Sequence, residues 1–153
     1  MKLKTVADTR DRDEILRRIS TLSENDARQW GKMTIHQMIC HLDDSYSLAL
    51  NERKASPATG FLQQTVIKWV ALWVPLKWMK GFPTRPELEQ GKGGSAPVEF
   101  AADRMRLAAN LDRFCGALPY PCIRHPVFGP MTREDWQRWG YLHADHHLRQ
   151  FGR

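Results

Sequence analysis

The sequence contains few cysteines and no long apolar run, which argues against a disulfide-rich protein and against a membrane-spanning one. Among 153 residues there are three cysteines, Cys40, Cys115 and Cys122, and none has CxxC spacing. An odd number without paired spacing indicates neither a disulfide framework nor a cysteine-based zinc site. The most apolar stretch, residues 65–76, contains a lysine and a proline and is too short to span a bilayer.

Signals for secretion and for nucleic-acid binding are also missing. The first eight residues contain two lysines, but no apolar stretch follows them as it would in a secretory signal. The net charge of +6 raises the question of nucleic acid, yet the basic residues look scattered and most have acids nearby. No zinc-finger spacing or aromatic–basic RNA motif accompanies them. We therefore expect a soluble, cytoplasmic protein with no membrane or nucleic-acid partner.

Helical periodicity dominates the sequence, and no strand pattern of any length or internal repeat is present. An apolar fraction of 42% with six tryptophans is typical of one folded domain, predicted here to span residues 1–153. Thr34 with Gln37 and Thr132 with Asp135 form capping-box patterns that mark two helix starts. The predicted helices cover residues 11–22, 34–50, 61–73, 97–118 and 132–150. This pattern predicts an all-α fold, an up-and-down four-helix bundle with an extra short helix and long irregular connections.

The third and fourth predicted helices suggest an interface and an inner face. The third is apolar on two sides, which favours a subunit interface and therefore a homodimer. Its two stripes are Leu62, Val66, Trp69, Trp73 and Leu76, and Ile67, Val70 and Val74. The predicted inner face of the fourth helix consists of Ala101, Met105, Ala108, Leu111 and Cys115. Arg104 lies near that face and is a candidate anchor for an anionic substrate.

Three histidines fall on helix faces that a bundle would bury. His143 and His147 are four residues apart on the inner side of the last helix, so their Cβ atoms lie about 5–6 Å apart. His41 lies inside the apolar stripe of the second helix. Bundles build metal sites from side chains on facing helices, and imidazole is a common ligand of zinc, nickel or iron. Core histidines satisfied by hydrogen bonds are the competing interpretation, and the residues alone leave both open.

The remaining candidates have weaker patterns. Asp44, one turn beyond His41, is the acid we consider as a general base or as a partner that orients a ligand. Cys40 points away from the apolar stripe, which favours a buried structural thiol over a nucleophile. Two further expectations place His146 at the edge of the inner stripe and Trp139 beside the cavity, and treat His36 and His125 as surface or loop-anchoring residues.

Two segments resemble a known superfamily. The segments WGKMTIHQMICHL (residues 30–42) and YLHADHHLRQ (residues 141–150), with HPVFG at residues 125–129, resemble the DinB/YfiT-like superfamily, in particular a branch of unknown function. The resemblance covers nearly the whole chain and implies a four-helix bundle, often dimeric. It also implies a divalent metal ion held by His41, His143 and His147. Arg149 stands where many members have glycine, so packing there is expected to differ.

The resemblance also suggests a reaction class, because characterised members include thiol-dependent S-transferases, isomerases and some hydrolases. We therefore predict a divalent-metal-dependent enzyme of S-transferase or hydrolase type acting on a small molecule. Its cofactor would be zinc, nickel or iron, with a low-molecular-weight thiol as a candidate co-substrate. The alternative is a non-catalytic, stress-related bundle that binds a metal or a small ligand.

Overall fold

The computed structural model describes residues 2–58 and 60–153, and this part of the chain is mostly helical, in agreement with the predicted all-α class. Its helices are α1 (Thr9–Ser20), α2 (Ile35–Ala49), α3 (Lys68–Trp73), α4 (Phe100–Gly116) and α5 (Arg133–Gln150). A π-helical turn, Gln63–Ile67, leads directly into α3, and a 3₁₀ turn, Pro86–Leu88, lies in the long connection to α4. The sequence pattern missed a small antiparallel hairpin of β1 (Arg124–His125) and β2 (Gly129–Pro130).

Local hydrogen bonds determine where the helices begin. The Thr34 hydroxyl accepts from the Gln37 amide at 3.1 Å, and the Gln37 side chain accepts from the Thr34 amide at 2.9 Å. The same reciprocal pair joins Thr132 and Asp135, so both predicted capping boxes are confirmed. Helix α1 begins two residues before the predicted start because the Asp8 carboxylate accepts from a backbone amide in its first turn.

Helices α1, α2, α4 and α5 pack around one apolar core, and α3 lies against α5. Side chains that are completely buried include Ile15, Ile19, Leu42, Tyr46, Leu107, Phe114, Trp136 and Leu148. Helices approach each other closely at Gly140, where an added Cβ would lie 2.5 Å from Phe114 Cε1. The Tyr46 hydroxyl also donates to the Gly140 carbonyl at 2.9 Å. A residue without a side chain therefore lets α5 touch both α2 and α4.

The predicted inner face of α4 was wrong over most of its length. Met105 is 71% exposed, and of the five residues assigned to that face only Leu111 is fully buried. The buried face instead includes the polar residues Asp103 and Asn110. Asn110 Nδ2 donates to the carbonyl and carboxylate of Asp43 at 3.0 and 3.1 Å. Asp103 and Asn110 are therefore buried because they have hydrogen-bond partners on α2, although their polarity predicted that they face solvent.

The segment around α3 is apolar on its outer side. Leu72 is buried against the core, whereas Phe61, Leu62, Val66 and Trp69 are exposed. None of the helices in the described residues combines the length and the apolar character needed to cross a lipid bilayer.

Candidate metal centre

The structure brings together the three histidines that the sequence placed on inner faces. His41 comes from α2, and His143 and His147 come from successive turns of α5. Their Nε2 atoms converge: His143 Nε2 lies 3.2 Å from that of His41 and 3.1 Å from that of His147. One nitrogen from each ring lies within 4.8 Å of the other two.

Backbone and side-chain oxygens determine the tautomers of two of these rings. His41 Nδ1 donates to the Leu88 carbonyl at 2.9 Å, and His147 Nδ1 donates to Gln150 Oε1 at 2.6 Å. Because a carbonyl oxygen only accepts, Nδ1 carries the hydrogen in both rings and Nε2 keeps its lone pair. Both lone pairs are therefore available at the point where the three rings meet.

The orientation of Gln150 is itself held by the segment before α2. Gln150 Nε2 donates to the Trp30 carbonyl at 3.4 Å, which leaves Oε1 facing His147. The next residue, Gly31, has φ +85°, and a Cβ there would lie 2.4 Å from Gln150 Nε2. The backbone conformation favours glycine at position 31, and a side chain there would displace the Gln150 amide from its present place.

The three rings are incompletely satisfied by hydrogen bonds alone. If His143 carries its hydrogen on Nε2, it can donate to Nε2 of either His41 or His147, but not to both. The other ring nitrogen would then have no donor. His143 Nδ1 is buried and has no hydrogen-bond partner. Tetrahedral zinc with nitrogen ligands at 2.0–2.1 Å requires nitrogens about 3.3–3.4 Å apart, close to the separations seen here. The donor set therefore fits a metal ion.

Burial keeps these histidines in the form that binds metals. Desolvation lowers the pKa of His41, although the Leu88 carbonyl and Asp44 partly oppose it. Desolvation also lowers the pKa of His143 and His147 well below the usual range, and the neighbouring imidazoles lower it further. All three side chains are neutral at physiological pH, and neutral imidazole is the ligand form.

Aromatic side chains surround the cluster. The Trp139 ring stacks on His143 with centroids 4.9 Å apart, so this tryptophan lies beside the cluster as expected. Trp78, from the connection between α3 and α4, lies 6.1 Å from His143 and 6.0 Å from His146. His146 is 8% exposed and packs between Trp78 and Trp30. Its ring nitrogens do not belong to the converging set in the described residues.

Asp44 is buried but makes its contacts away from the histidine rings. Its carboxylate accepts from the Ser95 amide at 2.7 Å, the Ser95 hydroxyl at 2.6 Å and Gln90 Nε2 at 3.1 Å. It also pairs with Arg53 Nη2 at 2.9 Å. These bonds attach the α3–α4 connection to α2. The group that orients His41 is the Leu88 carbonyl, a backbone atom that no sequence pattern indicates.

Two further expectations need correction. Arg104 Nη1 donates to the carbonyls of Ser20 and Leu22 at 3.2 and 2.6 Å, so it holds the C-terminal end of α1 and is not an anion anchor. His36 was expected at the surface or in a loop, but its Nε2 lies 2.7 Å from Asp103 Oδ2 between α2 and α4.

The second histidine-containing cluster, His36, Cys40 and Asp103, is a hydrogen-bonded ion network. Arg106 Nη1 pairs with Asp103 Oδ1 at 2.6 Å, and the Val98 amide donates to Oδ2 at 3.0 Å. Burial and the Asp103 carboxylate raise the pKa of the Cys40 thiol to about 12. Cys40 is therefore a protonated, buried thiol, as expected, and a guanidinium already occupies the cationic position beside the carboxylate.

His125 anchors the β1–β2 hairpin, in agreement with its expected role in a loop. Its Nδ1 accepts from the amides of Val127 and Phe128 at 3.1 and 3.2 Å. Burial lowers the pKa of His125 to about 3, so the ring stays neutral. The ring lies 5.4 Å from that of Trp139, which brings the HPVFG segment next to the histidine cluster.

Comparison with curated proteins and with solved structures yields no match. Comparison with protein families yields one whose model matches residues 2–153, almost the full length. The chain therefore belongs to the family described as "Protein of unknown function (DUF1569)".

Proposed function

We propose that His41, His143 and His147 bind one divalent cation, zinc, nickel or iron, inside an up-and-down four-helix bundle of the DinB-like type. The observation that supports this most directly is the convergence of three Nε2 atoms, two of which are acceptors because of their Nδ1 bonds. The family assignment itself carries no function. The proposed reaction class, S-transfer or hydrolysis, comes from the resemblance of residues 30–42 and 141–150 to the DinB/YfiT-like superfamily.

On this proposal the protein is a metal-dependent enzyme of S-transferase or hydrolase type acting on a small molecule. When bound, the ion would supply Lewis acidity that lowers the pKa of a water or of a low-molecular-weight thiol. Three protein ligands leave a coordination position for that molecule. Leu88 and Gln150 orient the His41 and His147 rings, while Trp139 and Trp78 flank His143.

A non-catalytic binder is the second candidate, and one observation favours it. Among the described residues no carboxylate forms a hydrogen bond or ion pair with the three rings, and Asp44 is engaged with Ser95, Gln90 and Arg53. A protein without a positioned general base could still bind a metal or a small ligand. Catalysis would then depend on the substrate or the thiol to move protons.

Metal content is the first test. Protein without a histidine tag, loaded with zinc, nickel or iron and dialysed, is expected to retain about one ion per chain. His143→Ala and His147→Ala are expected to lose it, whereas the matched control His146→Ala, on the same helix, keeps it. Wild type without bound metal, or equal retention by His143→Ala, would overturn the metal site.

Activity separates the enzyme from the binder. Metal-loaded protein is incubated with a panel of low-molecular-weight thiols and small electrophiles, and separately with ester and amide substrates in water. A product that requires wild type and is lost in His143→Ala supports the enzyme. Stoichiometric metal without turnover in either panel favours the binder.

A further inference from the structure

The positive charge of the protein is concentrated in one segment, residues 53–86. This segment contains six basic residues and no acidic residue, while the rest of the chain contains 17 residues of each sign. The entire net charge of +6 therefore belongs to the segment. The basic residues are scattered among acidic ones, as expected, only outside residues 53–86.

Much of this charge has no acidic partner. Arg53 and Lys68 pair with Asp44 and Asp135. In the described part of the chain, the ion pairs do not include the other four basic residues of the segment. These are Lys54, Lys77, Lys80 and Arg85.

The same segment carries most of the exposed apolar surface. Of the thirteen large apolar side chains exposed in the described residues, nine lie between positions 61 and 82. They are Phe61, Leu62, Val66, Ile67, Trp69, Val70, Leu76, Met79 and Phe82. Phe61 and Met79 are each 80% exposed, so these side chains are not partly covered core residues. Lys77 and Lys80 alternate with the exposed Leu76, Met79 and Phe82 along the chain.

We propose that residues 61–82, the apolar–basic surface, dock onto a lipid bilayer with anionic headgroups. Exposed Trp and Phe beside Lys are the composition of segments that lie in a membrane interface. Apolar side chains enter the boundary between headgroups and acyl chains, and each basic residue is attracted by anionic lipid. The partner of this surface must supply both an apolar layer and negative charge, and an anionic bilayer supplies both.

A second copy of the chain fits the surface less well, although the sequence predicted a homodimer through this helix. A two-fold dimer places the same surface on both partners, so two surfaces with the same net positive charge would meet. Like charges brought together in a desolvated interface are unfavourable. Charge complementarity thus favours the bilayer over the homodimer.

Docking of this kind needs no spanning helix, but it departs from the expectation that the protein has no membrane partner. Within residues 61–82, the Trp78 ring turns inward and lies 6.1 Å from that of His143, and the chain continues from the surface to the connection that carries Leu88. The proposal does not depend on metal binding, because none of the three histidines belongs to the surface.

Vesicle co-sedimentation tests the proposal on the full chain. Wild type is expected to pellet with vesicles of phosphatidylcholine and phosphatidylglycerol at least about tenfold more strongly than with phosphatidylcholine alone, since each basic residue contributes about fivefold. Raising the salt from about 0.1 to 0.5 M should weaken this binding. No binding to anionic vesicles, or equal binding to neutral ones, would overturn the proposal.

Substitutions at exposed positions locate the surface. Trp69→Glu should reduce partitioning by about tenfold or more, because it removes an aromatic anchor and adds negative charge. Met105→Glu introduces the same charge at an exposed position on α4 and should leave partitioning within about twofold. Equal losses in both variants would contradict a localised surface.

Charge-reversal variants test independently whether the lysines of the surface determine the preference for anionic vesicles. Lys77→Glu with Lys80→Glu should abolish the preference for anionic vesicles. Arg10→Glu with Arg17→Glu changes the net charge equally at exposed sites on α1 and should largely keep that preference. Light scattering without lipid tests the rival partner. A wild-type dimer that Trp69→Glu converts to a monomer would assign the surface to the homodimer and overturn the proposal.

Discussion

Gln150 illustrates how one side chain can determine the chemistry of another. Its Oε1 holds the hydrogen of His147 on Nδ1, and its Nε2 is held by the Trp30 carbonyl beside Gly31. Groups that orient a metal-binding histidine commonly affect affinity by 10–100-fold without touching the ion.

We therefore expect Gln150→Leu to weaken zinc binding by about 10–100-fold, measured by competition with a chromogenic chelator. Gln150→Glu keeps an oxygen acceptor for His147 Nδ1 but loses the donor to the Trp30 carbonyl, so it should lose less affinity than Gln150→Leu. Equal affinities of wild type and Gln150→Leu, with both folded by circular dichroism, would show that Gln150 does not orient the ligand.

Asp103 is a buried carboxylate whose ionisation contributes to stability. Burial alone would raise the pKa of Asp103, but the Val98 amide, His36 and Arg106 lower it to about 2. The side chain is only 2% exposed, so solvent screens these partners little. Because the folded-state pKa is below the unfolded value of 3.8, the ionised carboxylate stabilises the protein above that pH.

The contribution of Asp103, about 2 kcal/mol, should disappear as the pH falls from about 4 to 2. Asp103→Asn should accordingly be less stable than wild type at pH 7 by a similar amount. The difference in urea-unfolding free energy between the two proteins should shrink towards pH 2. A difference that does not depend on pH would mean that packing, not charge, is responsible.

At the scale of elements, contacts between helices depend on a few close approaches. Helix α5 carries two of the three converging histidines, so its distance from α2 sets the geometry of the cluster. At Gly140 the α5 backbone accepts a hydrogen bond from Tyr46 on α2, and the absence of a side chain leaves room for Phe114 on α4.

Gly140→Ala should lower the free energy of unfolding by about 1–3 kcal/mol, because the new methyl group overlaps Phe114. Gly116→Ala on α4 is the matched control, since a Cβ there meets nothing within 4 Å. Its effect should be near zero or slightly favourable. If both variants unfold at the same urea concentration, the contact at Gly140 is looser than described.

Helix starts could be predicted because they depend on residues three positions apart, as in Thr34 with Gln37 and Thr132 with Asp135. The approach of His41 to His143 and His147 could be anticipated because inner faces of packed helices meet. The buried face of α4 could not be predicted, because Asp103 and Asn110 are buried by virtue of hydrogen bonds to residues on α2. The role of Arg104 was missed for the same reason, since its acceptors are backbone carbonyls 82 and 84 residues away.

For the whole molecule, a bound ion and the fold should stabilise each other. The three histidines proposed as ligands come from α2 and α5, which are distant in sequence, so an unfolded chain offers no preformed site. Whatever binds only the folded state raises its stability by mass action.

Zinc at about 100 times its Kd should stabilise wild type by about 2.7 kcal/mol and raise Tm by several degrees in a thermal scan. A chelator should reverse the shift. His143→Ala should show no shift, whereas His146→Ala should behave like wild type. A zinc-dependent shift of equal size in His143→Ala would place the ion elsewhere on the protein.

The bond from His41 to Leu88 has a consequence for how this protein can vary. Every amino acid has a carbonyl, so no point substitution at position 88 deletes the acceptor that sets the tautomer of His41. Shortening or lengthening the stretch between α3 and α4 would displace it. The tautomer of His41 thus depends on the length of this connection more than on its residue types. Deleting one residue between α3 and α4 should disturb the His41 ring more than most single substitutions in the same stretch.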